Sequence, residues 1–320
     1  MVSHVHGVLC SGNLVYDTVV GPVEDLHWGA TTFVDCIECH PGGNGANTSR
    51  ALAKLGIPVR LLGAVGTDPE GRFILDALKR SHVDSSYIDL IDAPTSASVA
   101  IVKPSGERKF FHQMGVSRDA FAEPIRFTPE ICHGMTHYHL ASLFVLPRLR
   151  RRGPEPLIQA RAAGLKTSFD TNWDPDAGWM ETLSPCLPHL DLLFMNEEEA
   201  HMITGSREPA QIAKIVLAKG LGTLALKLGS RGCAIYTQNQ EVLCPAFDVP
   251  VKDTTGAGDC FAAGFLAATL DGANLTEAGR FANAVAALSV QKIGAVSGVL
   301  SKPETEAWIK SAHYRVQLNA

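Results

Sequence analysis

Short apolar runs alternate with longer amphipathic segments along most of the chain. Runs such as residues 59–65 and 191–195 are short and mostly apolar at consecutive positions, which is typical of strands buried on both faces. Segments with helical spacing of apolar residues, such as residues 69–81, lie between them. The alternation predicts an α/β fold with a mostly parallel sheet, helices on both faces, and ligand sites at the carboxyl ends of the strands.

Two regions, at about residues 14–40 and 95–113, break this alternation. Each contains strand-like segments with a period of two, the longest at residues 31–40, and residues 104–107 form a hairpin turn signal. We expect both regions to build one small β-sheet that stands off the main body as a lid. No long linker divides the chain, so residues 1–320 are expected to form one domain.

The predicted lid would expose apolar side chains on a sheet, among them Phe33, Ile37 and Val99. A bare apolar sheet is an aggregation risk. We therefore expect it to pack against a second copy of itself in a homodimer.

Composition favours small-molecule chemistry. The formal net charge of −5 and the sequence pI of about 6.2 give no basic footprint for nucleic acid or an anionic membrane. No run approaches the ~20 apolar residues that span a bilayer, and the first residues lack the pattern of a signal peptide. The eight cysteines are dispersed, which favours free thiols over a disulfide framework. These features predict a cytoplasmic protein.

Two patterns with histidine could suggest a metal or haem. Residues 36–40 match the haem attachment motif CxxCH, but Cys36 and Cys39 would face opposite sides of a strand. A second group lies in or beside an apolar strand without the spacing of a helical ligand pair: His133, His137 and His139. We interpret the first match as accidental and expect the three histidines to be ordinary core or surface residues.

Residues 253–264 join a Gly-rich turn to an apolar helix-forming run. Gly256 and Gly258 allow successive N–H groups to converge at the helix N-terminus, where the helix dipole also favours an anion. Asp259 places a carboxylate at the same point, as a base facing a phosphate acceptor would be placed. Taken alone, the segment is more typical of a helix cap with a Gly turn.

Other polar segments follow the same arrangement. A Gly-containing turn at residues 41–47 opens a helix that ends near Gly56, and its Asn amides can bond to hydroxyl groups. Polar residues also follow predicted strands at 170–172, 196–199 and 229–232. Parallel strands bring such segments to one edge of the sheet.

In their order and spacing these motifs resemble the ribokinase-like (PfkB) family of carbohydrate kinases over nearly the whole chain. The two signature regions of that family correspond to residues 41–56 and 253–264. The resemblance implies a three-layer sandwich with a central mostly parallel sheet and a small β-sheet lid. It also implies ATP-dependent transfer of the γ-phosphate to a hydroxymethyl group of a small neutral sugar, ribose-like or fructose-like, with Mg²⁺ and with K⁺ as a further candidate.

The resemblance also implies roles for individual residues. Asp259 would be the base, and three amides would form the anion hole: Gly256, Ala257 and Gly258. The acceptor would be bound by Asp17, Gly43, Asn44 and Asn47. The nucleotide would lie beside Asn196, Lys227, Gly229, Gly232 and Asn283. Glu199 would hold Mg²⁺ through water, and a monovalent cation would be held by Asp253, Thr255, Ser289 and Gly294.

Two departures from the family pattern concern the acceptor. Ribokinases usually carry a lysine where Asn44 stands. Fructokinases and ketodeoxygluconate kinases usually carry an arginine where Asp174 stands. That arginine serves charge compensation in the family, so an anionic sugar acid or sugar phosphate is disfavoured and a neutral sugar is favoured. The only basic cluster lies in residues 147–163, which we predict to form one amphipathic helix. Its arginines are expected to form a solvated face: Arg148, Arg150, Arg151 and Arg152.

Three alternatives stay open at this point. Phe111, His112 and Met114 in the lid could cover a nucleoside, since aromatic and thioether side chains stack on bases and sugars alike. A sugar or nucleotide sensor without catalysis is disfavoured by the presence of both Asp259 and the Asn196/Glu199 pair. A dinucleotide-binding oxidoreductase is disfavoured because no GxGxxG follows the first strand.

Overall fold

The computed structural model of the protein describes residues 6–104 and 108–315. Thirteen strands and eleven α-helices lie in these ranges. The strands are β1 (Gly7–Ser11), β2 (Val15–Gly21), β3 (Cys36–Gly42), β4 (Val59–Gly66), β5 (Ile88–Ile91), β6 (Ala97–Val102), β7 (Arg108–Gln113), β8 (Met135–Leu140), β9 (Lys166–Asp170), β10 (Leu192–Asn196), β11 (Thr223–Lys227), β12 (Cys233–Tyr236) and β13 (Glu241–Cys244). The helices are α1 (Asn44–Lys54), α2 (Pro69–Arg80), α3 (Pro129–Cys132), α4 (Pro147–Arg152), α5 (Glu155–Ala162), α6 (Trp179–Leu183), α7 (Glu197–Thr204), α8 (Pro209–Leu217), α9 (Ala257–Leu270), α10 (Leu275–Ser289) and α11 (Lys302–Ser311).

Nine strands form the main sheet in the order β13-β12-β11-β10-β9-β8-β1-β4-β5. The pairs from β5 to β11 are parallel, and only β12 and β13 join by antiparallel pairing. Parallel neighbours bring the ends of β1, β8, β9, β10 and β11 to one edge. The α/β architecture with a mostly parallel sheet is as expected.

Helices cover both faces of this sheet, and the side chains of β1 show why. Val8 and Cys10 are fully buried in one apolar cluster with α1, α9 and α10, whereas Leu9 is fully buried in the cluster on the other face. Successive residues of a strand point to opposite faces, so a strand between two helical layers must be apolar throughout. The sheet and its two layers match the predicted three-layer arrangement.

A second sheet of four strands has the order β3-β2-β6-β7. Strand β2 pairs antiparallel with β3 and parallel with β6, and β6 pairs antiparallel with β7. The two regions that break the βα rhythm therefore meet in one small sheet, as predicted. The turn signal between β6 and β7 lies largely outside the described residues. We call this second sheet the lid sheet.

Several boundaries differ from the sequence-based expectations. The predicted helix at 147–163 is two helices, because Gly153 takes a positive φ of 54° and Pro154 follows it. Strand β3 begins at Cys36, well after residue 31. Strand β5 was not predicted. It is a short edge strand with two exposed residues, which gives little periodic signal.

All eight cysteines are free thiols, as expected. The described ranges contain no group of three or more His, Cys, Asp or Glu side chains placed to hold a metal ion. His137 and His139 are buried and both bond to the Ser168 hydroxyl at 2.7 Å, which is a structural arrangement. Within the same ranges, no helix has the length and apolar content to cross a membrane.

Candidate active site

The N-terminus of α1 is held against the end of β1. Gly43, at the N-cap, has a φ of 87°, and a side chain there would collide with the Asn13 backbone. The Asn44 N–H donates to Asn13 Oδ1 at 2.9 Å, and the Ser142 hydroxyl, after β8, donates to the same oxygen at 3.1 Å. The turn therefore joins two strand ends to the start of a helix.

Asp259 lies in the first turn of α9 and faces this turn. Its Oδ1 accepts a hydrogen bond from Asn44 Nδ2 and its Oδ2 accepts one from Asn47 Nδ2, both at 2.9 Å. The side chain is only 5% exposed. Burial raises the pKa of Asp259 above its ordinary value, although the two amide hydrogen bonds oppose the rise. The carboxylate is therefore oriented and a stronger base than an exposed aspartate.

The backbone before α9 forms an anion cradle. Gly256 is left-handed, with a φ of 69°, which glycine adopts at no steric cost. The N–H groups of Gly256 and Gly258 make no hydrogen bond to any described residue, whereas Ala257 N–H bonds to Thr254 O at 3.2 Å. A Cβ on Gly258 would lie 3.1 Å from the Lys227 ammonium. Unpaired N–H groups and a cation thus converge at a helix N-terminus, which suits a phosphate.

Lys227 is surrounded by carboxylates. Its Nζ donates to Asp170 Oδ1 at 2.6 Å, and both side chains are nearly buried. Burial alone would lower the pKa of Lys227, but Asp170 and Glu199 outweigh it and raise the pKa. Burial raises the pKa of Asp170, against the effect of Lys227, and Asp259 adds to the rise. This part of the site carries more negative than positive charge, which is a suitable environment for a divalent cation.

Glu199 and Asn196 form a capping box at the start of α7. Glu199 N–H donates to Asn196 Oδ1 at 2.8 Å, and Asn196 N–H donates to Glu199 Oε2 at 3.2 Å. The Thr171 hydroxyl donates to the same Oε2 at 2.6 Å. Glu199 Oε1 has no hydrogen-bond partner among the described residues, so one oxygen of a fixed carboxylate stays available for a metal-bound water.

Asp17 extends the site into the lid sheet. A Cβ on Gly42 would lie 1.8 Å from Asp17 Oδ2, so the carboxylate packs directly on the turn before α1. In the register of the sheet Asp17 is opposite Ser98, and Ser98 is opposite His112. The Ser98 hydroxyl bonds to His112 Nδ1 at 2.9 Å. Burial raises the pKa of Asp17 to about 6, with a smaller contribution from Asp259, while Ser98 lowers it.

The same register corrects the expectation for Phe111. Residues opposite one another share a face and neighbours alternate, so Phe111 points away from the face of Asp17 and His112. Phe110, which is half exposed, lies on the Asp17 face instead. The sequence pattern named the wrong aromatic residue because the register across β6 and β7 was not known.

A cavity of about 380 Å³ opens beside the anion cradle. We call it the nucleotide cavity because its lining includes the five residues that the family resemblance assigns to the nucleotide: Asn196, Lys227, Gly229, Gly232 and Asn283. Most other lining side chains are apolar, among them Phe247, Val249 and Val290. Asn283 Nδ2 donates to Cys244 O at 2.9 Å and Pro245 O at 3.1 Å, which fixes the wall after β13.

Asp253 accepts hydrogen bonds from two of the residues predicted to hold a monovalent cation. Its Oδ1 accepts from Thr255 N–H at 2.7 Å, and its Oδ2 accepts from Gly294 N–H at 2.8 Å. The Ser289 hydroxyl bonds to Ala286 O inside α10. The structure thus brings three of the four assigned residues, Asp253, Thr255 and Gly294, into one hydrogen-bonded group.

The basic cluster is not simply a solvated face. Arg150 makes a bidentate pair with Asp174, Nη1 to Oδ1 at 2.6 Å and Nη2 to Oδ2 at 2.9 Å, and the Asp174 side chain is fully buried. Asp174 also accepts N–H groups of Asp176 and Trp179. The sequence suggested that Asp174 influences which acceptor binds. In the structure its carboxylate instead pairs with Arg150 and holds the loop that follows it, up to Trp179.

Sequence reasoning assigned no role to several residues that build the site. Asn13 and Ser142 position the start of α1, and Asp170 and Thr171 hold Lys227 and Glu199. The only sequence feature that could have indicated these residues is their position directly after predicted strands. Which of many polar strand-end residues meet is decided by the order of strands in the sheet, and the sequence does not state that order.

The fold and site define an α/β phosphotransferase that acts on an alcohol group. Residues 6–302 match the model of the pfkB family carbohydrate kinases. The chain therefore belongs to the pfkB family of carbohydrate kinases.

Named relatives agree with this assignment. The chain is 28% identical over 295 residues to the ribokinase of Bacillus subtilis, covering 92% of this chain and 96% of the relative. It is 26% identical over 286 residues to the Arabidopsis thaliana protein named "Probable fructokinase-5", covering 85% and 88%. The structure of Arabidopsis thaliana ribokinase complexed with ribose and ATP is similar, with a TM-score of 0.80, 26% identity, and coverage of 95% and 99%.

Proposed function

We propose that the protein transfers the γ-phosphate of ATP to a hydroxymethyl group of a small neutral sugar, with Asp259 as the base. The observation that carries the proposal is the position of Asp259 between the start of α1 and the anion cradle before α9. Its oxygens are held by Asn44 and Asn47 from α1, and its own helix begins at the anion cradle. A base fixed beside a phosphate site is what transfer to a hydroxyl group requires.

Asp259 would take the proton of the acceptor hydroxyl at one carboxylate oxygen. Burial raises its pKa, so it accepts a proton more readily than an exposed aspartate. The N–H groups of Gly256 and Gly258 would stabilise charge on the transferring group, and general-base catalysis contributes on the order of 10²–10⁴ in rate. The lid sheet would exclude water from the acceptor.

The residues present fit ATP and Mg²⁺. The nucleotide cavity has apolar walls for a base, and the cradle at α9 offers unpaired N–H groups and Lys227 for phosphates. Glu199 Oε1 would hold a metal-bound water, and Asn196 orients Glu199. When bound, Mg²⁺ neutralises negative charge on the phosphates. The Arabidopsis thaliana ribokinase solved with ribose and ATP supports ATP as the nucleotide.

Charge in the acceptor cleft supports a neutral substrate. Asp17 and Asp259 face the cleft, and the charge of Asp259 contributes to the raised pKa of Asp17. Two carboxylates repel an anionic sugar acid or sugar phosphate and can accept hydrogen bonds from several hydroxyl groups. These two carboxylates argue for a neutral acceptor more strongly than Asp174 does, because Arg150 neutralises the charge of Asp174.

One assay tests the proposal. Coupled ADP release is measured with ribose, fructose, other neutral sugars, ketodeoxygluconate, adenosine and other nucleosides. We expect turnover with a neutral sugar and none with the sugar acid. ATP binding without turnover on any of these acceptors would instead favour a sensor.

A second candidate is an adenosine-type nucleoside kinase. Phe110 and His112 lie on the same face of the lid sheet as Asp17, so an aromatic ring and an imidazole are placed to cover a base. Turnover of a nucleoside at a lower KM than any sugar in the same assay would select this candidate.

We also propose that K⁺ activates the enzyme. Asp253 connects the turn before α9 to Gly294 through two hydrogen bonds, so a cation held there would steady the anion cradle. The assay is repeated with K⁺ and with tetramethylammonium at equal ionic strength. Equal rates in both salts would contradict the proposal.

A further inference from the structure

The segment at residues 313–315 lies against the wall of the nucleotide cavity. Arg315 N–H donates to Ala246 O at 2.8 Å, and Asp248 N–H donates to His313 O at 2.9 Å. These bonds lie on both sides of an isolated antiparallel bridge, which pairs the segment with the chain that follows β13. Its position is therefore fixed by the backbone.

Aromatic packing reinforces this pairing. Phe247 stacks on Tyr314 with ring centroids 4.8 Å apart and packs against Trp308 of α11 at 5.0 Å. Arg280 of α10 lies over the Tyr314 ring at 5.6 Å. Phe247 is 4% exposed and also lines the nucleotide cavity. The wall of the cavity thus depends on the C-terminal segment for its packing.

Arg315 brings a cation to this wall. Its side chain lines the cavity and is 50% exposed. Nε lies 3.9 Å from Asp248 Oδ1, beyond hydrogen-bond distance, and the guanidinium makes no hydrogen bond within the described ranges. A planar cation with unused donors at the edge of an apolar cavity is suited to stack on a purine ring or bond to its edge.

Lys227 and Arg315, the two cationic side chains that line the cavity, lie on different walls. Lys227 lies at the α9 N-terminus beside Gly258, where the phosphates are expected. Arg315 is joined to Ala246, on the wall that Asn283 fixes. With phosphates at the first wall, the second wall is left for the base. No acidic residue lines the cavity in the described part of the chain.

Residues 313–315 lie beyond the part of the chain that matches the family model, which ends at residue 302. We propose that Arg315 contacts the nucleobase of the bound nucleotide and contributes to its affinity, so that the C-terminal segment belongs to the nucleotide site. The inference rests on the proposed function, in which this cavity binds ATP.

The test is calorimetric titration of the full chain and of Arg315→Met with ADP and with inorganic tripolyphosphate. We expect the Kd for ADP to rise about three- to thirty-fold, the range of a cation–π contact, and the Kd for tripolyphosphate to stay the same. Arg151→Met, which removes an exposed arginine of α4, is the matched control and should change neither Kd. Thermal unfolding checks that each variant is folded.

Two results would overturn the inference. One is an unchanged Kd for ADP in Arg315→Met. The other is an equal weakening for ADP and tripolyphosphate, which would place the guanidinium on the phosphates. Failure of the proposed function is distinguishable, because the unmodified chain would then bind no ADP. Tyr314→Leu gives a second measure: loss of the stacking partner should weaken ADP binding while the acceptor KM is unchanged.

Discussion

Asp259 is a buried carboxylate and Asp17 a partly buried one, and the two have different partners. Asp259 accepts hydrogen bonds from two amides of α1, and Asp17 lies in the lid sheet against Gly42. Burial raises the pKa of both, because each loses water that would stabilise its charge. The difference in position gives them separate proposed roles, proton acceptance and hydroxyl binding.

Asp259→Asn removes the base and keeps the size of the side chain. We expect kcat to fall by at least about 10²-fold, the lower limit for loss of a general base, with the Kd for ADP nearly unchanged. Stopped-flow or coupled ADP release measures the rate, and calorimetry measures the Kd. A variant that retains a tenth of the activity would show that Asp259 is not the base.

Asp17 should make acceptor binding depend on pH. With a pKa of about 6, Asp17 is ionised and accepts hydroxyl hydrogen bonds above pH 6, and it becomes protonated below. The acceptor KM is therefore expected to rise as the pH falls from 7 to 5. Asp17→Asn should remove this dependence and raise KM throughout. A wild-type KM that is flat across this interval would contradict the role.

The same pKa predicts an effect of Asp17 on stability. Its folded pKa lies above the ordinary 3.8, so the folded state binds its proton more tightly than the unfolded state does. Stability from this group is then greatest below pH 4 and falls as the pH rises through 6. Asp17→Asn should raise the free energy of unfolding at pH 7 by on the order of 1–3 kcal/mol. Urea denaturation at pH 7 and pH 4 measures the difference.

At the scale of elements, the site depends on how closely α1 approaches β1. A Cβ on Gly45 would lie 2.8 Å from the Gly12 carbonyl carbon and 3.0 Å from Asn13 O, both backbone atoms that cannot rotate away. The absence of side chains at these glycines lets the helix start directly above the strand end. Asn44 and Asn47 then reach Asp259.

Gly45→Ala tests this close approach. We expect it to destabilise the protein by about 1–3 kcal/mol, as overpacking does, and to raise the acceptor KM because Asn44 and Asn47 shift with the helix. Thermal unfolding and ADP release measure the two effects. Wild-type stability in this variant would mean that α1 can move without cost.

At the scale of the whole molecule, the lid sheet has two unlike faces. The face of Asp17 turns to the cleft, while the opposite face carries exposed apolar side chains, including Ile37, Val99 and Phe111. This face supports the proposal that the lid sheet packs against a second copy of the chain.

Dimerisation is tested by light scattering at micromolar concentration. We expect the mass of a dimer for the wild type and a shift to monomer in Ile37→Lys combined with Val99→Lys, because charges would enter an apolar contact. Lys219→Glu, an exposed change in the main body, is the control. A monomeric wild type would contradict the proposal.

The sequence by itself determined the α/β class, the two interruptions that form the lid sheet, and the two Gly-containing turns that open α1 and α9. Periodicity and turn chemistry are local properties, so the residues that carry them suffice. Only the tertiary structure decided that Asp170 holds Lys227, that Arg150 neutralises Asp174, and that Phe110 rather than Phe111 shares the face of Asp17. These contacts depend on the strand order and register, which arise from packing between residues far apart in the chain.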